Sequence, residues 1–373
     1  MPASRFDGVN VVGYHRQALG IGSEARRLVR CLRAAGVSVA TIDAPGSSSA
    51  ILDEVPKSDN EWRYSTTISV VAGDQTQFVI SSLGADHFCE GHHLGMWYWE
   101  LERINPVMRE ALRLLNGLIV GSDFVFRSLA RDSVVPIFKL PATLPVTPYV
   151  LFDRQQLGLP EERLIFLCTF DFFSVIARKN PMGVVRAFKL AFPKEDGPLL
   201  LLKAQNGEFL PHDRHALTAL FDNRSDIRLW DEHVSDHIQS SLIGNADLVV
   251  SLHRSEGLGL HLLEAIAQGV PIMATNYSAP TEFLNSKCAA LVDWHHTPVA
   301  SGNGVYPDGF VWAEPDVEHA AFLMREFATN AELRAGYSEG IATVRERFSS
   351  ESTAGHQLSR WLVHSFGSTT SNQ

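Results

Sequence analysis

Two glutamates, Glu256 and Glu264, stand eight positions apart in Ser255-Glu256-Gly257-Leu258-Gly259-Leu260-His261-Leu262-Leu263-Glu264, where a loop would turn into a helix. The apolar run Asp247 to Leu252 ahead of them reads as a buried strand, and Glu256 and Gly257 fall in a turn. From Leu258 the apolar spacing (Leu260, Leu263, Ala267) is helical until Gly269 and Pro271 stop it, and Val270 to Ala274 reads as the next strand. Such a β-α-β step sets Glu256 at the carboxyl end of a parallel strand. There the unpaired N–H groups of a helix N-terminus, here the stretch Gly257, Leu258, Gly259 and Leu260, favour an anion. Glu264, two turns on, can face the same crevice and accept hydrogen bonds from vicinal hydroxyls, as carboxylates do on a ribose. Two carboxylates beside a phosphate site point to a sugar nucleotide. Taken singly, the same glutamates also read as a helix cap and a solvated surface charge.

A diphosphate needs counter-charge. Arg178 and Lys179 follow the apolar stretch Leu164 to Phe170 and precede a helix starting near Pro181, a residue suited to a first helical turn. Arginine forks onto phosphate oxygens and lysine supplies a compact charge, so the pair reads as a pyrophosphate clamp or, more plainly, as two solvated cations. Lys203, at the end of another strand, is a third candidate. Gly20 and Gly22, after the strand Val9 to Tyr14, could let the backbone approach a phosphate or sugar at the start of the Ser23 helix, although the same pattern makes a tight turn.

The E-x7-E pattern followed by Gly269-Val270-Pro271 resembles the retaining glycosyltransferases of family GT4 (glycosyltransferase group 1). Four further blocks are similar to that family: Val12 through Arg26, Trp97-Tyr98-Trp99-Glu100-Leu101-Glu102, Ala177-Arg178-Lys179-Asn180-Pro181 and Gly309 through Pro315, two of them in the manner of bacterial members that assemble polysaccharides. The resemblance implies an α/β chain of GT-B architecture, two Rossmann-like domains with parallel sheets facing across a cleft. It also implies transfer of a sugar from a nucleoside-diphosphate sugar to a glycan, lipid-linked or small-molecule acceptor, with no bound metal and no cofactor beyond the donor. In the family the second glutamate, here Glu264, usually holds the donor ribose, and the first, here Glu256, lies near the donor sugar and its phosphates. One departure stands out. The family more often has an arginine directly after the strand and a lysine several residues later, whereas here Asp171 occupies the strand exit and Arg178 and Lys179 are adjacent.

The polar segment Asp86, His87, Cys89, His92 and His93 invites a zinc reading, but a second ligand cluster at suitable spacing is missing. By the resemblance, Asp86 or His87 would orient the acceptor hydroxyl or polarise the leaving group. Trp97, Trp99 and Glu100 could form an acceptor-side wall, flat rings for sugar C–H faces and a carboxylate for hydroxyls, or the tryptophans could be core.

With 373 residues, 45% apolar and 20% charged, the chain exceeds one hydrophobic core and reads as an ordinary globular protein of two domains. The expected division is 1–145 for the acceptor domain and 146–352 for the donor domain, with a terminal helix 353–366 returning to the first. Lys139 to Pro148, with three prolines, is the expected linker, and the tail after Phe366 is expected to fray. Further strands are expected at Val37 to Ile42, Phe78 to Ser81, Gly117 to Val120, Pro198 to Lys203 and Ile227 to Trp230. The net charge of −10 argues against nucleic acid as a partner, since phosphate backbones require a basic footprint. Four scattered cysteines form neither a disulfide framework nor a metal pattern. A cytoplasmic protein is expected, because neither a spanning apolar run nor a signal peptide is visible. Arg26, Arg30 and Arg33 share a helix face, which is either solvated or a peripheral contact with anionic lipid on the cytoplasmic membrane face. Two other readings remain open: a GT-B sugar-nucleotide epimerase, and a non-catalytic nucleotide-sugar or glycan-binding protein.

Overall fold

Short apolar runs set between glycines, prolines and amphipathic stretches fold into parallel strands joined by helices. The computed structural model describes residues 7–47, 49–52, 54–146 and 152–367. It separates into two units, Met1–Thr143 with Phe348–Gln373, and Leu144–Arg347.

The first unit runs β1 (Val9–Gly13), α1 (Gly20–Ala34), β2 (Val39–Asp43), β3 (Thr66–Val70), α2 (Thr76–Leu83), α3 (Asp86–Cys89), β4 (His92–Met96), α4 (Pro106–Ala111), β5 (Gly117–Val120), α5 (Asp123–Ala130) and β6 (Ile137–Lys139). Its six strands pair in parallel in the order β2-β1-β3-β4-β5-β6. β1, β3 and β5 are buried throughout, as expected for strands covered on both faces.

The second unit runs β7 (Ile165–Thr169), α6 (Ile176–Lys179), α7 (Pro181–Ala191), β8 (Leu199–Ala204), α8 (Pro211–Ala219), β9 (Ile227–Asp231), α9 (Asp236–Gly244), β10 (Leu248–Ser251), α10 (Leu260–Gln268), β11 (Ile272–Thr275) and β12 (Ala289–Val292), then the hairpin β13 (Trp294–Pro298) and β14 (Val311–Pro315), α11 (Val317–Thr329) and α12 (Ala331–Arg345). Its parallel sheet has the order β12-β11-β10-β7-β8-β9. The chain builds outward from β7 through β8 to β9, then returns to lay β10 on the other side of β7. The carboxyl ends of β7 and β10 therefore flank a topological switch point, the place where open α/β sheets bind ligands.

The last helix, α13 (Glu351–Phe366), belongs to the first unit and packs on α1. Ser350 caps it by accepting from the Thr353 N–H at 3.0 Å, and Arg30 pairs with Glu351 at 2.7 Å. The helices approach so closely that a Cβ on Gly355 would stand 1.8 Å from the Cys31 carbonyl oxygen.

Two sequence expectations fail in the first unit. Phe78 to Ser81 is not a strand but lies within α2, and Phe78 is 47% exposed. A run of four apolar or small residues carries no period by which helix and strand can be told apart. The strands there are β3 and β4, so His92 and His93 of the polar segment lie in the sheet. Lys139, expected to open the linker, closes β6, while Thr147 and Pro148 of that segment and residues 368–373 of the tail lie outside the described residues. Among the described residues no helix is long and apolar enough to cross a membrane.

Candidate functional site

The strand exits at the switch point bring the expected charges together. After β10, residues 252–259 loop into α10, and after β7 a turn leads into the single-turn helix α6 that ends on Arg178 and Lys179. Lys179 Nζ lies 2.5 Å from Glu256 Oε1, and Arg178 Nη1 lies 3.1 Å from Glu256 Oε2 and 3.0 Å from the Ser255 carbonyl. All three side chains are buried or nearly so. Burial alone would raise the Glu256 carboxyl; Lys179 and then Arg178 outweigh it and hold the carboxyl well below the ordinary range. An ion cluster this dry adds little net stability, because desolvation offsets attraction. What it supplies is two cations fixed beside the amino end of α10.

The backbone around the cluster is strained, and side chains explain how the strain persists. Val175, a β-branched residue at φ 57°, precedes α6, and Asn180 at φ 53° follows it. Asn180 caps α7 by accepting from Gly183 N–H at 3.1 Å, with Pro181 at the first helical position, and its amide donates to the Leu252 carbonyl at 2.9 Å. Arg254 forks onto Glu314 of β14 at 2.6 and 2.8 Å and also donates to the Ala177 carbonyl, tying α6 to the hairpin. Ser278, after β11, has φ 62° and ψ −154°, a region that normally demands glycine, and its hydroxyl receives the Glu256 N–H at 2.8 Å. Gly259, at φ 88°, occupies the left-handed conformation that starts α10. Strain gathered this way is typical of functional sites.

Glu264 lies on the same helix, half-buried, and among the described residues no donor pairs with its carboxylate. Burial, then Asp236, push its proton affinity up to about 7, with Lys179 acting against them. Asp171 at the β7 exit accepts from Gln205 at 2.8 Å and Asn206 at 2.9 Å, so this departure from the family pattern serves to pin the loop after β8. Lys203 is buried and donates to the carbonyls of Ala204 at 2.7 Å and Glu232 at 2.5 Å, which gives it a structural occupation.

The residues expected in the first unit are placed differently. Asp86 and His87 are exposed in α3, which precedes β4 and so lies at the amino-terminal edge of an all-parallel sheet, opposite the edge where ligands bind. The His87 ring stacks on Trp62 at 4.3 Å. His93 is a core histidine, 2.8 Å from the Ser69 hydroxyl and 3.2 Å from the Leu114 carbonyl; burial lowers its proton affinity to about 4. Among the described residues no group of three His, Cys, Asp or Glu side chains converges to hold a metal. Trp97 and Trp99 are not a wall but core: Trp97 is fully buried, and Trp99 Nε1 donates to the Arg103 carbonyl at 2.7 Å. Both rings are large enough that the first unit's core claims them. Glu100 is half-buried beyond the carboxyl end of β4. Tyr98, between the tryptophans, joins the buried pair of Glu24 and Arg27. Gly20 opens α1, and a Cβ on Gly22 would stand 2.5 Å from the Tyr14 carbonyl, so it is the chain's own backbone that lies against this glycine. Of the basic stripe, Arg30 is paired with Glu351 and Arg26 donates to the His15 carbonyl at 2.9 Å.

Sequence reasoning passed over Ser251, His253, His261, Arg254 and Ser278. Each is a single polar residue in or beside an apolar run, whereas Asn180-Pro181 carried the helix-start signal already read.

The family model described as "Glycosyl transferases group 1" matches residues 152–342. Solved structures agree over nearly the whole chain. Sucrose-phosphate synthase from Thermosynechococcus elongatus superposes with a TM-score of 0.72 at 14% identity, covering 96% of this chain and 98% of that one. WaaG, a glycosyltransferase involved in lipopolysaccharide biosynthesis, gives 0.63 at 15% identity, with 95% and 99% covered. HepE of Anabaena, solved in complex with UDP-glucose, gives 0.63 at 14% identity with the same coverage. The fold is GT-B, two Rossmann-like units each with its own parallel sheet. No curated protein matches the chain in sequence.

Proposed function

The chain belongs to the glycosyl transferases, group 1, and on that premise we propose that it is a retaining enzyme that moves a sugar from a nucleoside-diphosphate sugar to a carbohydrate or lipid-linked hydroxyl. The observation that carries this reading is the meeting of Arg178, Lys179 and Glu256 at the β7/β10 switch point, beside the amino end of α10. The diphosphate takes the two cations and the N–H groups of residues 257–260, the ribose hydroxyls bond to Glu264, and Glu256 positions the transferred sugar.

In the step itself the bond from the anomeric carbon to the diphosphate oxygen breaks, and the acceptor oxygen bonds to the same carbon from the same face. The acceptor proton passes to the departing diphosphate. Arg178 and Lys179 act where negative charge grows, which is where preorganised donors lower a barrier most. The acceptor is assigned to the first unit, and no bound metal is required by this scheme. A relative that holds UDP-glucose supports a donor of this class.

The test is thermal unfolding with UDP, GDP and ADP, each alone and as its glucose ester. A ligand that binds only the folded state raises the midpoint, by about 2.7 kcal/mol of stability at a hundredfold excess over its dissociation constant. One nucleotide should stabilise the protein and its sugar ester should be consumed when acceptor saccharides are added. Failure of every nucleotide to shift the midpoint would remove the reading.

A further inference from the structure

A chain of hydrogen bonds behind Glu256 has its direction fixed by one atom. The Tyr277 carbonyl can only accept, so His253, whose Nε2 lies 3.3 Å away, must carry its proton there. His253 is fully buried, and burial lowers its proton affinity to about 4, so the ring is neutral and its Nδ1 is bare. The Ser251 hydroxyl, 3.1 Å from that nitrogen, therefore donates to it, and the serine oxygen accepts from His261 Nε2–H at 3.0 Å. A second arm reaches the same carbonyl: the Glu256 N–H donates to Ser278 Oγ at 2.8 Å, and that hydroxyl donates to Tyr277 at 2.7 Å.

The consequence falls on His261, the second residue of α10. With its Nε2 proton committed inward and burial, then Lys179, keeping the ring neutral, Nδ1 must be a lone pair. The ring is half-buried, and among the described residues no donor meets that nitrogen. His261 and Glu264, three apart, share a helix face. The hydrogen bonds of the ring run through Ser251, His253 and the Tyr277 carbonyl to Ser278 and the Glu256 N–H, which ties it to the Glu256 loop.

We infer that His261 Nδ1, held in one tautomer by Ser251 and His253, accepts a hydrogen bond from a hydroxyl of the transferred sugar. A bare ring nitrogen repels a phosphate oxygen and selects an O–H donor, so within this site it addresses the sugar and not the diphosphate. His261 is thus a specificity residue, and Ser251 and His253 are positioning residues. The inference rests on the donor site proposed above.

Two measurements test it. Nitrogen-15 NMR of the ligand-free protein at neutral pH should show His261 protonated on Nε2 and bare on Nδ1, and Ser251→Ala should release the ring into a mixture of tautomers. A His261 that carries its proton on Nδ1, or is unchanged by Ser251→Ala, overturns the relay. Calorimetric titration with UDP, GDP and ADP and their glucose esters then compares wild type with His261→Phe. The variant should lose about fivefold to tenfold in affinity for the glucose ester, with the bare nucleotide unaffected. Equal losses for both ligands, or none, overturn the contact with the sugar. Should His261→Phe fail to fold, Ser251→Ala, which keeps the ring, must show the same selective loss. A wild type that binds no nucleotide removes the donor site and the inference together, an outcome distinct from nucleotide binding that His261→Phe leaves unselective.

Discussion

At the Glu264 carboxyl, burial and Asp236 raise the proton affinity from the ordinary 4.5 to about 7, and the consequences for binding and for stability have opposite signs. Binding a diol calls for the ionised form, since charge-assisted hydrogen bonds are stronger than neutral ones. Donor affinity should therefore fall as pH drops through about 7, and Glu264→Ala should cost roughly 1.5–3 kcal/mol, about tenfold to over a hundredfold, measured by calorimetric titration. Stability runs the other way. A carboxyl that holds its proton more tightly when folded contributes stability that is full below its ordinary value and lost as pH rises through about 7. Glu264→Gln should accordingly melt higher than wild type at pH values above that point and match it in acid, while binding donor poorly. An affinity independent of both substitution and pH would refute the ribose assignment. The two glutamates and the cation pair were singled out by their spacing about strand-loop-helix junctions and by the family resemblance, since a charge at a strand exit can equally be structural, as Asp171 and Lys203 are. Ser251, His253 and His261 were not, because a hydroxyl and two imidazoles inside apolar runs look like core residues until the carbonyl that orders them is located in space.

Among the elements, the contact of α1 with α13 is close enough to predict from. Gly355 lacks only a Cβ, yet that atom would lie 1.8 Å from the Cys31 carbonyl oxygen and 2.6 Å from its carbon, both backbone atoms that cannot rotate away. Gly355→Ala should destabilise the protein by about 1–3 kcal/mol, the usual cost of overpacking, despite alanine's better helix propensity. Denaturant titration checks this, and a stabilised variant would mean that the helices separate without penalty. Donor binding in the second unit should be unaltered. Strands such as Gly117–Val120 and Ile165–Thr169 were readable from apolar runs bounded by turns. β3, Thr66–Val70, was not, since three of its five residues are Thr or Ser although all are buried. Tertiary burial overrides composition there.

For the molecule as a whole, the question is where the acceptor's proton goes, because that decides the stereochemistry of the product. Inversion requires a base on the face of the sugar opposite the leaving group. The first unit's best sequence candidates, Asp86 and His87, lie at the amino-terminal edge of its sheet, and His93 is locked in the core. Beyond the carboxyl ends of its strands stand Asp74 after β3, Glu100 and Glu102 after β4, and Asp123 after β5. In the second unit Glu256 is committed to two cations, which makes it a poor base. On the function proposed above, Arg178 and Lys179 stabilise a departing diphosphate that can itself receive the proton, and that route requires attack on the face it leaves. The new glycosidic bond should therefore keep the donor's anomeric configuration. Proton NMR of the earliest product, read at its anomeric coupling before mutarotation, decides the matter. An inverted product would eliminate the front-face step, and the base would then be sought by replacing Asp74, Glu100, Glu102 and Asp123 in turn.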